Sequence, residues 1–426
     1  MKDTVKSKIV VIARILLGLV FVFSGYVKAV DPLGSTYKIQ DYMAAMGLDF
    51  FAPIALVIGI GLAALEFLIG VCLVLGTNIK STSILAILMM CFMTPLTLWI
   101  AIADPVSDCG CFGDALVISN WQTFWKNIVL FALAVLVYKW REYSPKLFSD
   151  RTEWLIAICA GSFSILLSIY CYFNLPIIDF RPYKNGTDII KSMEVPEGAE
   201  EDQFETILVY EKDGVQQEFS LENYPKDDST WTFVDSKHKL IKKGFEPPIH
   251  DFSMEHPDDG DITEEVLNKE GYTFLMVCYR VEKALTNKRK EINDIYQYAQ
   301  EHGYGFYCMT ATGLETDEMK EFKNEMGHNA EGGGYPFVNT DEITLKTIVR
   351  SNPGLVLIKN GVVVNKWSNK NLPKFNTPLE QSQMGEVQQP NEWGMVTMSV
   401  IAFLVVIALV FAIDWLISSI SKKKGK

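Results

Sequence analysis

The sequence predicts an α-helical membrane bundle of six spans, a four-helix core plus two further helices, that carries an extracytoplasmic α/β domain. Three observations lead there. Six apolar stretches are long enough to cross a bilayer, basic residues crowd one set of their ends, and a single acidic insertion before the last stretch alternates strand and helix patterns.

Crossing the hydrocarbon core as a helix takes ~20 mostly apolar residues. Residues 8–29, 51–75, 81–103, 120–140, 153–175 and 394–418 meet that length, each bounded by charge, Pro or Gly. The first is expected to be retained, because its apolar run is too long for a secretory signal and no Ala-x-Ala-like cleavage site closes it before Lys28 and Asp31. Spans one to four form a domain over residues 1–145, and a fifth helix occupies 152–176.

Lys and Arg near span ends stay on the cytoplasmic side. Lys2, Lys6, Lys8, Lys80, Lys139, Arg141, Lys146, Arg151, Lys422, Lys423, Lys424 and Lys426 fall on one face, against Lys28, Lys38 and Lys126 in the short opposite loops and their flanks. Both termini are therefore expected in the cytoplasm and residues 177–392 outside. That layout suits a bacterial inner membrane with a periplasmic domain. Trp121, Trp125, Trp154 and Trp393 lie near span ends, where amphipathic rings favour the headgroup zone. Residues 177–392 hold 39 of the 51 acidic residues and 23 of the 39 basic ones, so this region is strongly acidic and the remainder net basic. Without a basic footprint, nucleic acid is excluded as a partner, which leaves membrane lipid and protein.

The loop between spans three and four reads Asp104-Pro105-Val106-Ser107-Asp108-Cys109-Gly110-Cys111-Phe112-Gly113-Asp114. Of the eight cysteines, only these two stand so close together, on the side where disulfides persist. A Cys-Gly-Cys disulfide would close a very small ring, and strained, exposed disulfides are the oxidising ones that exchange readily. The blander alternatives are an inert staple, which would remove little chain entropy at this loop length, or two exposed thiols. A zinc site fits less well, since the loop has no His and two thiolates leave a tetrahedral ion half-liganded. Cys109 and Cys111 are thus the candidate redox residues, supported by Gly110, Phe112 and Gly113. Cys171, near the outer end of span five, is the other cysteine placed to resolve a mixed disulfide, although an ordinary apolar helix position is its simpler reading.

Glu66 lies deep in span two, so it is protonated, paired or facing a polar interior. Counting ~1.5 Å per residue puts Arg14 at similar depth and Lys28 and Lys126 near the opposite face. A structural ion pair and a functional group both remain open. Span one closes with Phe21-Val22-Phe23-Ser24-Gly25-Tyr26-Val27-Lys28-Ala29-Val30-Asp31-Pro32, which alone reads as an ordinary helix end. Together with the Cys-Gly-Cys loop it resembles the DoxX and MauE group of small four-helix membrane proteins, over about residues 8–140. In the MauE branch a Cys-Gly-Cys-Phe-Gly loop is associated with periplasmic disulfide chemistry, and the resemblance implies that role for Cys109 to Gly113.

Within the acidic region, residues 177–244 read as strand-rich, with Phe204 to Tyr210, a turn at Asp213-Gly214, and Trp231 to Val234. From Phe245 the pattern changes. Ile249 to Ser253 reads as a leading strand, Tyr272 to Tyr279 as a buried strand, Val281 to His302 as a helix and Gly305 to Thr310 as a second strand, which is a βαβ alternation. Leu355 to Ile358 and Val362 to Val364 flank Asn360-Gly361, a hairpin signal. This stretch, 245–372, resembles the thioredoxin-like fold in its peroxiredoxin or TlpA-like form. The resemblance implies a cis peptide before Pro353, and a Cys-x-x-Cys pair at about Lys283-Ala284-Leu285-Thr286, where this chain has none. Cys278 and Cys308 read as buried structural cysteines. Residues 373–392 read as a linker to the span at 394–418.

Two functions from different classes follow. In the first, the protein exchanges disulfides with a periplasmic protein thiol or disulfide partner through Cys109 and Cys111, and the degenerate domain docks that partner; no cofactor is evident, and a quinone would serve as electron acceptor without any residue marking its site. In the second, the protein is a non-catalytic membrane scaffold whose outer domain binds an envelope protein.

Overall fold

A computed structural model describes residues 3–106, 108–196, 198–200, 203–212, 214–220, 223–226, 230–242, 244–327, 334–375 and 391–424. Six of its helices are long and apolar enough to cross a membrane, and the chain is a multi-pass membrane protein. Five of them are α1 (Asp3–Val30), α3 (Ala55–Leu75), α4 (Ile79–Ala103), α5 (Asn120–Lys139) and α6 (Glu153–Asn174), with the short α2 (Pro32–Ala45) between the first two. Helices α1 and α3 pack closely because small residues meet at their crossing: a Cβ on Gly25 would lie 2.4 Å from the Phe67 backbone nitrogen, and one on Gly70 2.4 Å from that of Val22. Leu17, Phe21, Ile69, Leu73, Met90 and Ala134 fill the bundle core.

Helix α2 is absent from the sequence reading, and it sets the bundle's register. Asp31 caps it, its side chain accepting from Gly34 N at 2.9 Å, and Pro32 takes the first helical position. Ser35, Thr36 and Ile39 of α2 lie beside Gly59, so the first turns of α3 run along α2 and not along α1. The last turn of α1 is therefore level with the middle of α3.

Beyond α6 the chain forms α7 (Ile189–Met193) and then an antiparallel sheet of β1 (Gln203–Lys212), β2 (Val215–Ser220) and β3 (Thr232–Lys242), in the order β2-β1-β3. Next comes an α/β unit. It contains β4 (Glu255–His256), β5 (Gly260–Asp261), α8 (Thr263–Asn268), β6 (Tyr272–Cys278), α9 (Arg289–Glu301), β7 (Gly305–Thr310), α10 (Asp317–Glu325), β8 (Phe337–Asn339), α11 (Glu342–Ile348), β9 (Gly354–Lys359) and β10 (Val362–Ser368). These strands form one sheet in the order β10-β9-β6-β7-β8-β4-β5, with β6 and β7 parallel across α9 and β9 antiparallel to β6. Every residue of β6 is buried, as expected of a strand covered on both faces. Phe274, Met276 and Cys278 face one core with Ile292, Phe306 and Phe322, while Leu275 and Val277 face the other with Ile249, Phe252 and Leu345. The final helix, α12 (Glu392–Lys424), packs on α6 and leaves most of its surface exposed.

Cys278 and Cys308 are fully buried, and the Asn352–Pro353 peptide is cis. Two expectations need correction. Ile249 and Phe252 are buried, but residues 249–253 form no strand: they pack by side chain while the backbone pairing is left to two-residue β4. The helix expected from Val281 begins at Arg289, because residues 281–288 form two single 3-10 turns against the cis-proline segment, with Leu285 N donating to Asn352 O at 3.2 Å. The linker at 373–392 lies mostly outside the described residues.

Candidate functional site

The α4–α5 loop crosses the end of the bundle that carries the α/β domain. Asn120, in the first turn of α5, holds its start by donating to Asp104 Oδ1 at 2.9 Å and Val106 O at 3.0 Å. The chain then turns through Gly110 (φ +62°) and Gly113 (φ +51°), a left-handed conformation that side chains disfavour, and closes on a Gly113 N to Gly110 O hydrogen bond of 3.1 Å. This turn puts the Sγ atoms of Cys109 and Cys111 3.1 Å apart.

Different elements clamp the two sides of the pair. On the Cys109 side, the Tyr42 hydroxyl of α2 donates to Cys109 O, and Asp108 accepts from Gly110 N at 2.8 Å and from Lys38 Nζ at 2.6 Å. On the Cys111 side, Ser24 and Lys28 of α1 donate to Cys111 O at 2.7 and 2.6 Å. Lys28 Nζ also donates to Ser24 Oγ at 2.7 Å and to Glu66 Oε2 at 2.8 Å, so each of its three N–H bonds has an acceptor. The Phe112 ring is held 5.4 Å from that of Phe23, with Lys126 Nζ 4.3 Å from its centroid.

Protonation is asymmetric across the pair. The Cys111 thiol is held below its ordinary value, first by the hydrogen bond from Cys109 and then by Lys126 and Lys28, against the opposing effects of burial and Glu66. Cys109 is pushed up by that same hydrogen bond and by burial.

Several expectations change here. Glu66 is paired, but with Lys28 and not with a residue at the depth of Arg14; Arg14 instead caps the Leu73 and Val74 carbonyls at 2.8 and 3.1 Å. The displacement follows from α2, which takes up the first turns of α3 and brings Glu66 level with the end of α1. The cysteines are less open than an exposed loop implies: Cys109 is 9% exposed and Cys111 half-buried. Cys171 sits in an apolar cluster with Ala29, Val30, Ala63, Leu167 and Ile177. Ser24 and Lys28 were visible as one helical turn in the motif closing α1, but nothing local ties them to a loop some eighty residues later. Tyr42 and Lys38 belong to the helix the sequence hid.

The α/β unit sits on this loop. Arg350, between α11 and Pro353, is 7% exposed and forms ion pairs with Asp31 at 2.9 Å and Asp114 at 3.0 Å. One turn earlier, Lys346 Nζ lies 4.8 Å from the Tyr37 ring and 5.6 Å from that of Tyr279, and these two rings meet edge-on. Pro353 therefore belongs to the segment that meets the bundle at Asp31 and Asp114, where Asn352 Nδ2 also donates to Arg280 O at 2.8 Å. Burial pushes the Asp31 carboxyl up, but Arg350, Arg181 and the Gly34 N–H outweigh it and hold it below the ordinary range. A second joint lies at the end of α6, where Asp179 accepts from Arg181 and from Lys366 of β10 beside a cavity of about 230 Å³ reached by Trp367 and Glu392. The same competition between burial and two cations leaves Asp179 below the ordinary range.

Residues 6–139 match the family described as Methylamine utilisation protein MauE, a match that spans α1 to α5 and the whole cysteine loop. Residues 204–243 match a domain of unknown function, DUF8463, which coincides with the β1–β3 sheet. No curated protein and no solved structure matches the chain.

Proposed function

We propose that this membrane protein, MauE-like over its first five helices, is a thiol–disulfide exchange component whose working groups are Cys109 and Cys111. The observation that carries the reading is the approach of their Sγ atoms to 3.1 Å in a loop that two helices clamp from opposite sides. An inert loop has no need of a buried Lys–Glu pair to hold one peptide carbonyl.

The partner is a protein thiol or disulfide on the extracytoplasmic side of a bacterial inner membrane, with both termini cytoplasmic and residues 177–392 periplasmic, as the Lys and Arg distribution supports. A thiolate on one protein attacks a sulfur of the other's disulfide; one S–S bond forms as another breaks, and the departing thiolate takes a proton. A second such step completes the transfer of the disulfide, moving two electrons and two protons between the pair and the partner's two cysteines. A membrane quinone is the class of co-reactant that would reset the pair, and no residue is assigned to it. The α/β unit is a degenerate thioredoxin-like domain in this reading, supported by the parallel β6–β7 pair, antiparallel β9 after cis-Pro353, and residues 283–286 without sulfur. Its role is docking.

Acid quench of intact membranes followed by mass-tagged alkylation tests this. Cys109 and Cys111 should show a mixture of dithiol and disulfide that shifts with added oxidant or reductant. A pair locked in one state under every treatment overturns the reading and leaves the non-catalytic scaffold in its place.

A further inference from the structure

We propose that Cys111, not Cys109, is the sulfur that joins the partner in the mixed disulfide, with Lys126 stabilising its thiolate and the buried Lys28–Glu66 pair acting as its mount. This assignment rests on the redox reading above and divides roles within that site.

Access slightly favours Cys111, which is half-buried where Cys109 is buried at 9% exposure. Charge favours it as well. Facing Cys111 are Lys28 and Ser24 from α1, Tyr42 from α2, Glu66 from α3, Lys126 from α5 and Cys109 within the loop. Glu66 neutralises Lys28, so Lys126, which makes no ion pair among the described residues, supplies the uncompensated positive charge. On the other side, Asp108 sits next to Cys109 in sequence, its charge met by Lys38 at 2.6 Å. With the sulfurs 3.1 Å apart they share one hydrogen bond, so a single negative charge on the pair spreads across it, and Lys126 and Lys28 draw it toward Cys111.

Lys28 has a different part. Its ammonium contacts the Cys111 carbonyl oxygen and not the sulfur, so Lys28 and Glu66 are positioning residues: they fix the peptide that aims Cys111. In the reductive direction the Cys111 thiolate attacks a partner disulfide, forming an intermolecular S–S bond while the partner's own bond breaks and its leaving thiolate is protonated. Cys109 then loses its proton and attacks Cys111 Sγ, closing the pair and releasing the second partner thiol. Two electrons pass to the partner, and the reverse sequence oxidises a partner dithiol.

The reduced full-length protein in detergent is treated with limiting iodoacetamide between pH 5 and 9, and both cysteines are followed by peptide mass spectrometry. Cys111 should be alkylated first and at lower pH. Lys126→Met should slow Cys111 at pH 7 by roughly tenfold for each unit its titration moves up, while Lys126→Arg restores the rate. In membranes, Cys109→Ser should accumulate a mixed disulfide through Cys111, and Cys111→Ser should not. A pair that cycles in the membrane while Cys109 is alkylated first, or while Cys111→Ser traps the partner, overturns this assignment and leaves the redox reading standing. A pair locked in one redox state overturns both.

Discussion

Lys28 and Glu66 have side chains only 8% exposed, so the cost of burying each charge is offset by the other. Removing one charge strands its partner. Glu66→Gln should lower stability by about 3–5 kcal/mol, the usual cost of an unpaired buried charge, and thermal melting in detergent will show it. A Lys28→Met/Glu66→Leu double variant should lose much less, and equal losses in the two would mean that a stranded charge is not what costs stability. Glu66 was legible in the sequence because a carboxylate in an apolar span has to be explained. Its partner was not legible, because depth counted from residue 51 assumes that α3 starts level with the end of α1. Cys109 and Cys111 stood out by spacing alone, yet no local pattern connects them to Tyr42 and Lys38, which hold the loop on the Cys109 side.

Among the elements, the α1–α3 crossing matters most, since it places Lys28 against Glu66. With the Val22 nitrogen 2.4 Å and the Gly18 carbonyl oxygen 2.8 Å from where a Cβ on Gly70 would sit, Gly70→Ala has backbone in its way and must push the helices apart. The expected loss is about 1–3 kcal/mol in thermal stability, accompanied by slower alkylation of Cys111 as its mount loosens. A variant that melts as the parent does would show that the crossing tolerates separation. The long helices were readable because their apolar runs exceed any soluble helix, and β6 because seven consecutive buried residues leave a continuous apolar string. Helix α2 has 14 residues and no such run, and its start at Asp31-Pro32 reads equally well as the stop of α1. Its cap could have been seen; its tertiary role could not.

Across the whole molecule, two ionic joints fasten the α/β unit to the bundle, Arg350 with Asp31 and Asp114, and Asp179 with Arg181 and Lys366. Asp31 and Asp179 are held below the ordinary carboxylate range in the folded protein. A depressed acid stabilises fully above its unfolded value, about pH 4, and that stabilisation is lost as pH falls through the folded value. The unfolding free energy should therefore show no decline from these two groups between pH 7 and about 5, then fall below pH 4 by up to about 1.4 kcal/mol per pH unit for each carboxylate, with the melting temperature falling alongside. Asp31→Asn should start lower and fall less steeply; an unchanged slope would remove Asp31 from the joint. The joints were hidden in the sequence, because Arg350 and Asp31 are more than three hundred residues apart. What the joints must withstand is set by the way the unit is attached. It leaves the membrane at α6 and returns at α12, and those two helices pack together, so a unit that lets go of the loop stays beside it. Its effective concentration there is on the order of millimolar, which turns redocking into a unimolecular event. Contacts too weak to hold two separate proteins together are enough here, and the Arg350 joint can open and close again without a partner competing it away for good.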